Sequence, residues 1–297
     1  MSRAPDTDAA TLALSREPYG TPARLRARIA LHELADPGGE DFHHWLWRLV
    51  EAPADARVLE VGAGDARMWR AIAGRVPPAW RLTLSDRSPG MLEAARETLA
   101  AAGHAEAAGA ADPSSRDGQS GHAEATGLAA DFVLADAADL PFADASFDLA
   151  FANHMLYHLP DPARAVAELR RVLRPGGRLV AATNGEHHLA EIAALLDELT
   201  EAWPGVRVDR PQRLTFTLEN GEAILRVAFT EVARHDRDDV LRVADAEVLA
   251  RYLLSLAYAR DADEAASLAT WAQVLVAGRL RAGPLPVRRV SGVFVAR

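Results

Sequence analysis

The chain has 297 residues, 49% apolar and 25% charged, which suits one large α/β domain with an added substrate-binding portion and excludes wholesale disorder and collagen-like or mucin-like chains. A formal net charge of −9 argues against a protein that lives on phosphate backbones, because such affinity comes chiefly from Lys and Arg. The absence of cysteine removes disulfides, zinc–thiolate sites, iron–sulfur clusters and thiol nucleophiles at once.

Residues 1–18 are polar, small and aperiodic, and are expected to form a mobile leader. They lack the apolar stretch of a signal peptide, and no run along the chain approaches the roughly 18 apolar residues of a membrane span, so a cytoplasmic location is expected. Residues 19–56 read as an N-terminal helical lid. Leu25, Ile29 and His32 share one face there, and Phe42, Trp45, Leu46 and Leu49 form a second amphipathic stretch. Arg24, Arg26 and Arg28 read as a solvated basic face, and Trp45 and Trp47 as core.

From 57 to 185 short apolar runs alternate with helical ones, the pattern of βαβ units and a mostly parallel sheet. The predicted strands are Val58–Val61, Leu82–Ser85, Asp131–Ala135, Phe147–Ala152 and Arg178–Thr183. Before the fifth, Asp161 caps a helix with Pro162 in its first turn and Val166, Leu169 and Leu173 on one face; Pro175, Gly176 and Gly177 stop it. Residues 101–127 hold almost no large apolar side chain and read as a flexible inserted loop. After Thr183, in the stretch 186–297, helices are predicted around Leu189–Leu199, Ile224–Phe229, Val248–Ala259 and Ala265–Leu280, with Val287–Ala296 as a closing strand. This part is expected to hold the substrate cap and closing strands.

The chemistry begins at the first strand. Val58-Leu59-Glu60-Val61-Gly62-Ala63-Gly64-Asp65-Ala66 runs a strand through a glycine turn towards a helix, where backbone can approach a ligand closely and unpaired amides face it. Alone, such a turn also serves NAD, FAD or a purely structural bend. Asp86 ends the second strand, a little over 20 residues on, where a carboxylate can accept bonds from both ribose hydroxyls or cap the helix that starts at Ser88 and Pro89. A nicotinamide fingerprint requires a third glycine where Arg67 stands.

Together with Ala135-Asp136-Ala137-Ala138-Asp139-Leu140-Pro141-Phe142, Ser146-Phe147-Asp148-Leu149-Ala150 and Arg174-Pro175-Gly176-Gly177-Arg178-Leu179, this segment resembles the class I S-adenosylmethionine-dependent methyltransferases, in the group related to ubiquinone and menaquinone biosynthesis enzymes. The resemblance is dense from Arg57 to Thr183 and thin outside it. It implies a Rossmann-like α/β fold: a mostly parallel seven-stranded sheet with helices on both faces, N-terminal lid helices and a C-terminal helical cap. It implies S-adenosylmethionine as cofactor and a small molecule as acceptor. Glu60 and the backbone of Gly62, Ala63 and Gly64 would hold the methionine moiety, Asp86 the ribose, and Arg87 and Met91 the nucleoside. Asp136 would accept from the adenine amino group, Ala137 would offer its amide, and Asn153 would face the amino acid end. From the lid, Tyr19 and Arg28 would reach the donor, Arg28 by pairing with its carboxylate. Ala66 departs from the pattern, since a third glycine usually stands there.

Methyl transfer from a sulfonium is an in-line displacement, in which holding, aligning and drying the reactants does most of the work. A hydroxyl or protonated amine acceptor adds a proton to remove, which suits histidine. His154, Tyr157 and His158 follow the fourth strand and Asn184 the fifth, at the carboxyl edge where such sheets bind ligands; these four are the catalytic or substrate-contacting candidates. His187 and His188 follow the fifth strand, where either could bond substrate although exposed loop histidines are commonly idle, and the adjacent pairs His43-His44 and His187-His188 lack metal-ligand spacing, so no metal is expected. Neither nucleic acid nor membrane is expected as a partner, and the state is monomer or homodimer. The alternatives are nonmethyl chemistry or a cofactor-binding role on the same fold, and nucleic-acid or protein methylation, which acidity and the lack of an Asn-Pro-Pro-Tyr type motif disfavour.

Overall fold

Val58, Leu59, Glu60 and Val61 are all buried, so the first strand, β1 (Arg57–Val61), is covered on both faces, as a continuous apolar run in a parallel sheet must be. The computed structural model describes residues 22–33, 40–109, 128–209 and 214–297. The predicted leader and Tyr19 lie outside them. β1 pairs in parallel with β2 (Arg81–Asp86) and β4 (Phe147–Asn153), β2 with β3 (Ala130–Leu134), and β4 with β5 (Leu173–Asn184). With β7 (Val232–Val243) and β9 (Leu285–Ala296) they make a seven-stranded, mostly parallel, Rossmann-like sheet in the order β3-β2-β1-β4-β5-β9-β7, while β6 (Arg207–Val208) and β8 (Ala257–Tyr258) pair separately and antiparallel. The five predicted strands match observed ones to within a few residues, except that β5 starts at Leu173. The helix before it ends at Val172, ahead of the predicted Pro-Gly-Gly stop, because Leu173 is already extended.

The described residues fall into two compact units: one within 1–39, 185–214 and 237–291, the other within 40–184, 215–236 and 292–297. In the second, α1 (Pro22–Glu33) and α2 (Phe42–Trp47) part company, since only α2 belongs to it. Leu46 is fully buried beside Val58, Trp69 and Phe151, with Phe42, Trp45 and Trp47 packed around it, so residues predicted as lid contribute to the core under the sheet. The helices here are α3 (Arg67–Ala71), α4 (Pro89–Gly109), α5 (Pro162–Val172) and the short α6 (Gly221–Leu225), which begins before its predicted position. Asp161 caps α5 as expected, accepting from the amides of Ala163 and Arg164. The predicted loop 101–127 is corrected at its start. α4 continues through residue 109, because alanine is the best helix former and the Ala95 and Leu99 anchors already bury the preceding turns. Residues 110–127 lie outside the described chain.

The other unit carries α1, α7 (Ala190–Ala202), α8 (Ala246–Leu256) and α9 (Ala262–Leu280) around a core of Leu31, Ile192, Leu196, Leu249, Leu253 and Leu268. α1 buries Arg24, Ala27 and Leu31, and of the predicted face Ile29 and His32 are half-buried. Arg24 is 0% exposed, which overturns the solvated reading. Its guanidinium donates to the Ser255 and Ala257 carbonyls at the end of α8 and lies 4.2 Å from the Tyr258 ring, which Arg207 also approaches at 4.3 Å. The Tyr258 hydroxyl donates to Asp209 at 2.6 Å. β7, missing from the prediction, is the largest departure: its alternating exposure carries a polar text that periodicity alone did not flag. No described helix is long and apolar enough to cross a membrane.

Candidate active site

The turn after β1 is wound through three left-handed residues, Gly62 (φ +63°), Gly64 (φ +56°) and Ala66 (φ +56°). A side chain on Gly62 would meet the Met155 Cβ at 2.7 Å, so glycine is needed there for close packing. One on Gly64 would meet nothing within 4 Å, so the turn opens onto free space at that residue. Ala66 keeps the conformation of the glycine it replaces, at a cost of order 1–2 kcal/mol, and caps α3 without a side-chain bond. The turn is tied to the second strand: Ala63 N–H donates to the Ser85 carbonyl at 3.0 Å and Gly64 N–H to Asp86 Oδ2 at 3.0 Å. Asp86 Oδ1 accepts from the Ser88 amide at 2.9 Å. Ser88 rather than Asp86 meets the helix that follows, its Oγ accepting from the Met91 amide at 3.4 Å, while each Asp86 oxygen keeps a further lone pair.

Glu60 is 3% exposed at the end of β1. Trp69 Nε1 donates to its Oε2 at 2.5 Å, and Asn153 Nδ2 to its Oε1 at 3.0 Å. Burial pushes this carboxyl up to about 7; the bonds from Asn153 and Trp69 pull it down, and Asp86 and Asp65 add to the rise. Trp69 is fully buried, edge-on to Phe151 with ring centroids 5.6 Å apart. Asn153 Nδ2 also lies 3.1 Å from Met68 Sδ, and its Oδ1 is buried without a hydrogen-bond partner.

Beyond β3, the loop carrying Asp136 and Ala137 is held from below by α5. Arg171 donates to the carbonyls of Leu140 and Phe142 at 2.9 and 2.7 Å and pairs with Asp144 and Glu168. Glu168 in turn accepts from Leu140 N–H, and Arg164 donates to the Ala138 carbonyl. Asp136 is exposed and accepts from the Ala138 amide at 2.8 Å, while Ala137 is buried. Ala135 N–H donates to the Asp86 carbonyl, so the ends of β2 and β3 are joined. Arg87 is exposed and Met91 half-buried at the start of α4.

At the ends of β4 and β5 stand Asn153, His154 and Asn184. His154 is also left-handed (φ +52°), with its amide bonded to the Ala182 carbonyl and its ring 5.2 Å from Phe42 and 6.3 Å from Tyr157. Such strain in a non-glycine residue at a strand end is concentrated at working sites. Tyr157 is half-buried, His158 is exposed against it at 4.4 Å, and Asn184 is half-buried with its carbonyl accepting from Leu218 N–H. Arg28 lies in the other unit and is committed to Asp209 at 3.2 Å and the Ser255 carbonyl at 3.0 Å. His188, read as idle and exposed, is 7% exposed, bonded to the backbone of Val290 and stacked on His32 at 6.0 Å. Trp69, Arg171 and Glu168 were missed: nothing local marks Trp69 as a partner of Glu60, whereas Glu168 and Arg171 carried the i,i+3 signal of a paired helix face.

Residues 59–181 match a family model described as a methyltransferase domain. A malonyl-[acyl-carrier protein] O-methyltransferase of Hahella chejuensis is 34% identical over 149 residues, which is 50% of this chain and 41% of the relative. A ubiquinone/menaquinone biosynthesis C-methyltransferase of Bordetella avium is 27% identical over 185 residues, 62% of this chain and 60% of the relative. The chain therefore spans less than two thirds of either relative. Among solved structures, a protein of Bacillus halodurans C-125 superposes with a TM-score of 0.52 at 16% identity, covering 86% of this chain and 98% of that one, a likeness of fold.

Proposed function

We propose that residues 59–181, which match a methyltransferase domain model, form a class I methyltransferase domain, and that the protein transfers a methyl group from S-adenosylmethionine to a small-molecule acceptor. The observation that carries this reading is the buried Asn153 Oδ1, an acceptor without a donor beside a buried carboxylate, next to a glycine turn that opens at Gly64. An unpartnered buried acceptor costs about 1–3 kcal/mol, which a ligand ammonium would recover. The remaining residues fit the same molecule. In this reading Asp86 offers two oxygens, each with spare capacity, to a ribose diol, and Asp136 and the Ala137 amide would meet the adenine edge. Ala63 and Gly64 spend their amides on β2, so they serve by shape.

S-adenosylmethionine supplies a methyl group made electrophilic by a sulfonium. The chain supplies alignment and exclusion of water at the ends of β4 and β5, with His154 placed to take a proton if the acceptor carries one, and Tyr157, His158 and Asn184 to contact the acceptor. The net charge of −9 favours a neutral or cationic acceptor over nucleic acid. Calorimetry with S-adenosylhomocysteine should give micromolar or tighter binding, and a labelled-methyl screen against small-molecule extracts should yield labelled product. No binding of either S-adenosyl compound by folded protein would sink this reading.

A further inference from the structure

Resting on that reading, we propose that Trp69 is a positioning residue: acting through Glu60, its indole N–H fixes the Asn153 amide so that an oxygen, not a nitrogen, is turned to the ligand, which selects for a donor group such as an α-ammonium. The chain of bonds is explicit. Trp69 has a single polar hydrogen and gives it to Glu60 Oε2 at 2.5 Å. That bond, with the edge-on packing against Phe151, holds the carboxylate so that Oε1 faces Asn153 Nδ2 at 3.0 Å. The same nitrogen meets Met68 Sδ at 3.1 Å, so both acceptors around Asn153 call for its NH2 group and the amide has one favourable orientation. Oδ1 is then left buried and unmatched.

Glu60 is deeply buried and sits on a rigid strand, so its carboxylate can turn only if Trp69 releases it. Glu60→Gln would undo the arrangement differently. A glutamine keeping its oxygen on Trp69 would present NH2 to Asn153, the Asn153 amide would reverse, and N–H groups would then face the ligand.

The experiment compares S-adenosylhomocysteine with 5′-methylthioadenosine, which lacks the amino acid portion, by calorimetry on the full chain. Trp69→Phe, which keeps the ring against Phe151, should weaken S-adenosylhomocysteine about 10-fold and methylthioadenosine less than about 2-fold. Glu60→Gln should give the same selective loss or a larger one. Phe151→Leu disturbs the packing of Trp69 and keeps its N–H, so it should lower the melting temperature and leave the ratio of the two affinities unchanged. If Trp69→Phe weakens both ligands equally, or neither, the positioning role is wrong although the cofactor reading stands. If wild type binds neither ligand, it is the cofactor reading that fails. Should Trp69→Phe not fold, Glu60→Gln decides: an unchanged ratio there overturns the inference.

Discussion

Glu60 shows what a buried carboxylate does to its own protein. Its folded-state value of about 7 lies above its ordinary 4.5, so the stability it contributes is fully present below pH 4.5 and is lost as pH rises through 7. The difference corresponds to about 3 kcal/mol at full ionisation. Glu60→Gln should therefore gain stability over wild type as pH rises from 5 to 8, by up to about that amount. Parallel denaturant titrations of the two proteins check this, and an unchanging gap across the range would mean that Glu60 is not protonated in the folded protein. The sign is opposite for Asp65 and Glu168, both held below the usual carboxylate range despite burial, Asp65 by Arg67 and Glu168 chiefly by Arg171. Their contributions fade as pH falls below about 4. A group that stabilises least where the protein would work is one kept for binding.

At the scale of elements, α5 acts as a bracket for the loop after β3, and Arg171 is its clasp. Arg171→Met keeps much of the stem but removes the donors to Leu140 and Phe142. It should weaken S-adenosylhomocysteine and methylthioadenosine alike, each about 3- to 10-fold, because in the proposed reading this loop would hold the adenine they share. Selective loss of the first alone would place this loop elsewhere. This bracket also marks how far the sequence could be read. Strands, turn and the capped α5 were legible because their signals are local: a buried apolar run, glycines at left-handed positions, Asp161 before Pro162. The same signals put Asn153, His154 and Asn184 at strand ends, and the roles given to them are proposals. What escaped was set by partners far along the chain. Arg24 is buried because carbonyls 231 and 233 residues away accept its protons, and Trp69 matters through a bond to Glu60. β7 was missed since Arg234, His235, Asp236, Arg237, Asp238 and Asp239 read as solvated text, whereas pairing in a sheet follows from neighbours.

For the whole molecule, the strand order has the largest consequence. β9 lies between β5 and β7, so β7 joins the seven-stranded sheet only through a strand made after it. Phe294 on that strand is fully buried, its ring 5.8 Å from Phe216, and a side chain on Gly221 would strike it at 2.6 Å. Phe294→Ala should cost about 3–5 kcal/mol and Gly221→Ala about 1–3 kcal/mol by overpacking. Thermal unfolding checks both; a change under about 1 kcal/mol for Phe294→Ala would mean that this strand is loosely held. The same order bears on synthesis. Until β9 has been made, β7 has no partner in the sheet, and β5 presents an unpaired edge. At a few residues per second to some tens, that interval lasts several seconds. Nascent chains of this protein thus hold an open β5 edge and a wholly unpaired β7 over that interval, a window in which a chaperone that covers strand edges would raise the yield of folded product.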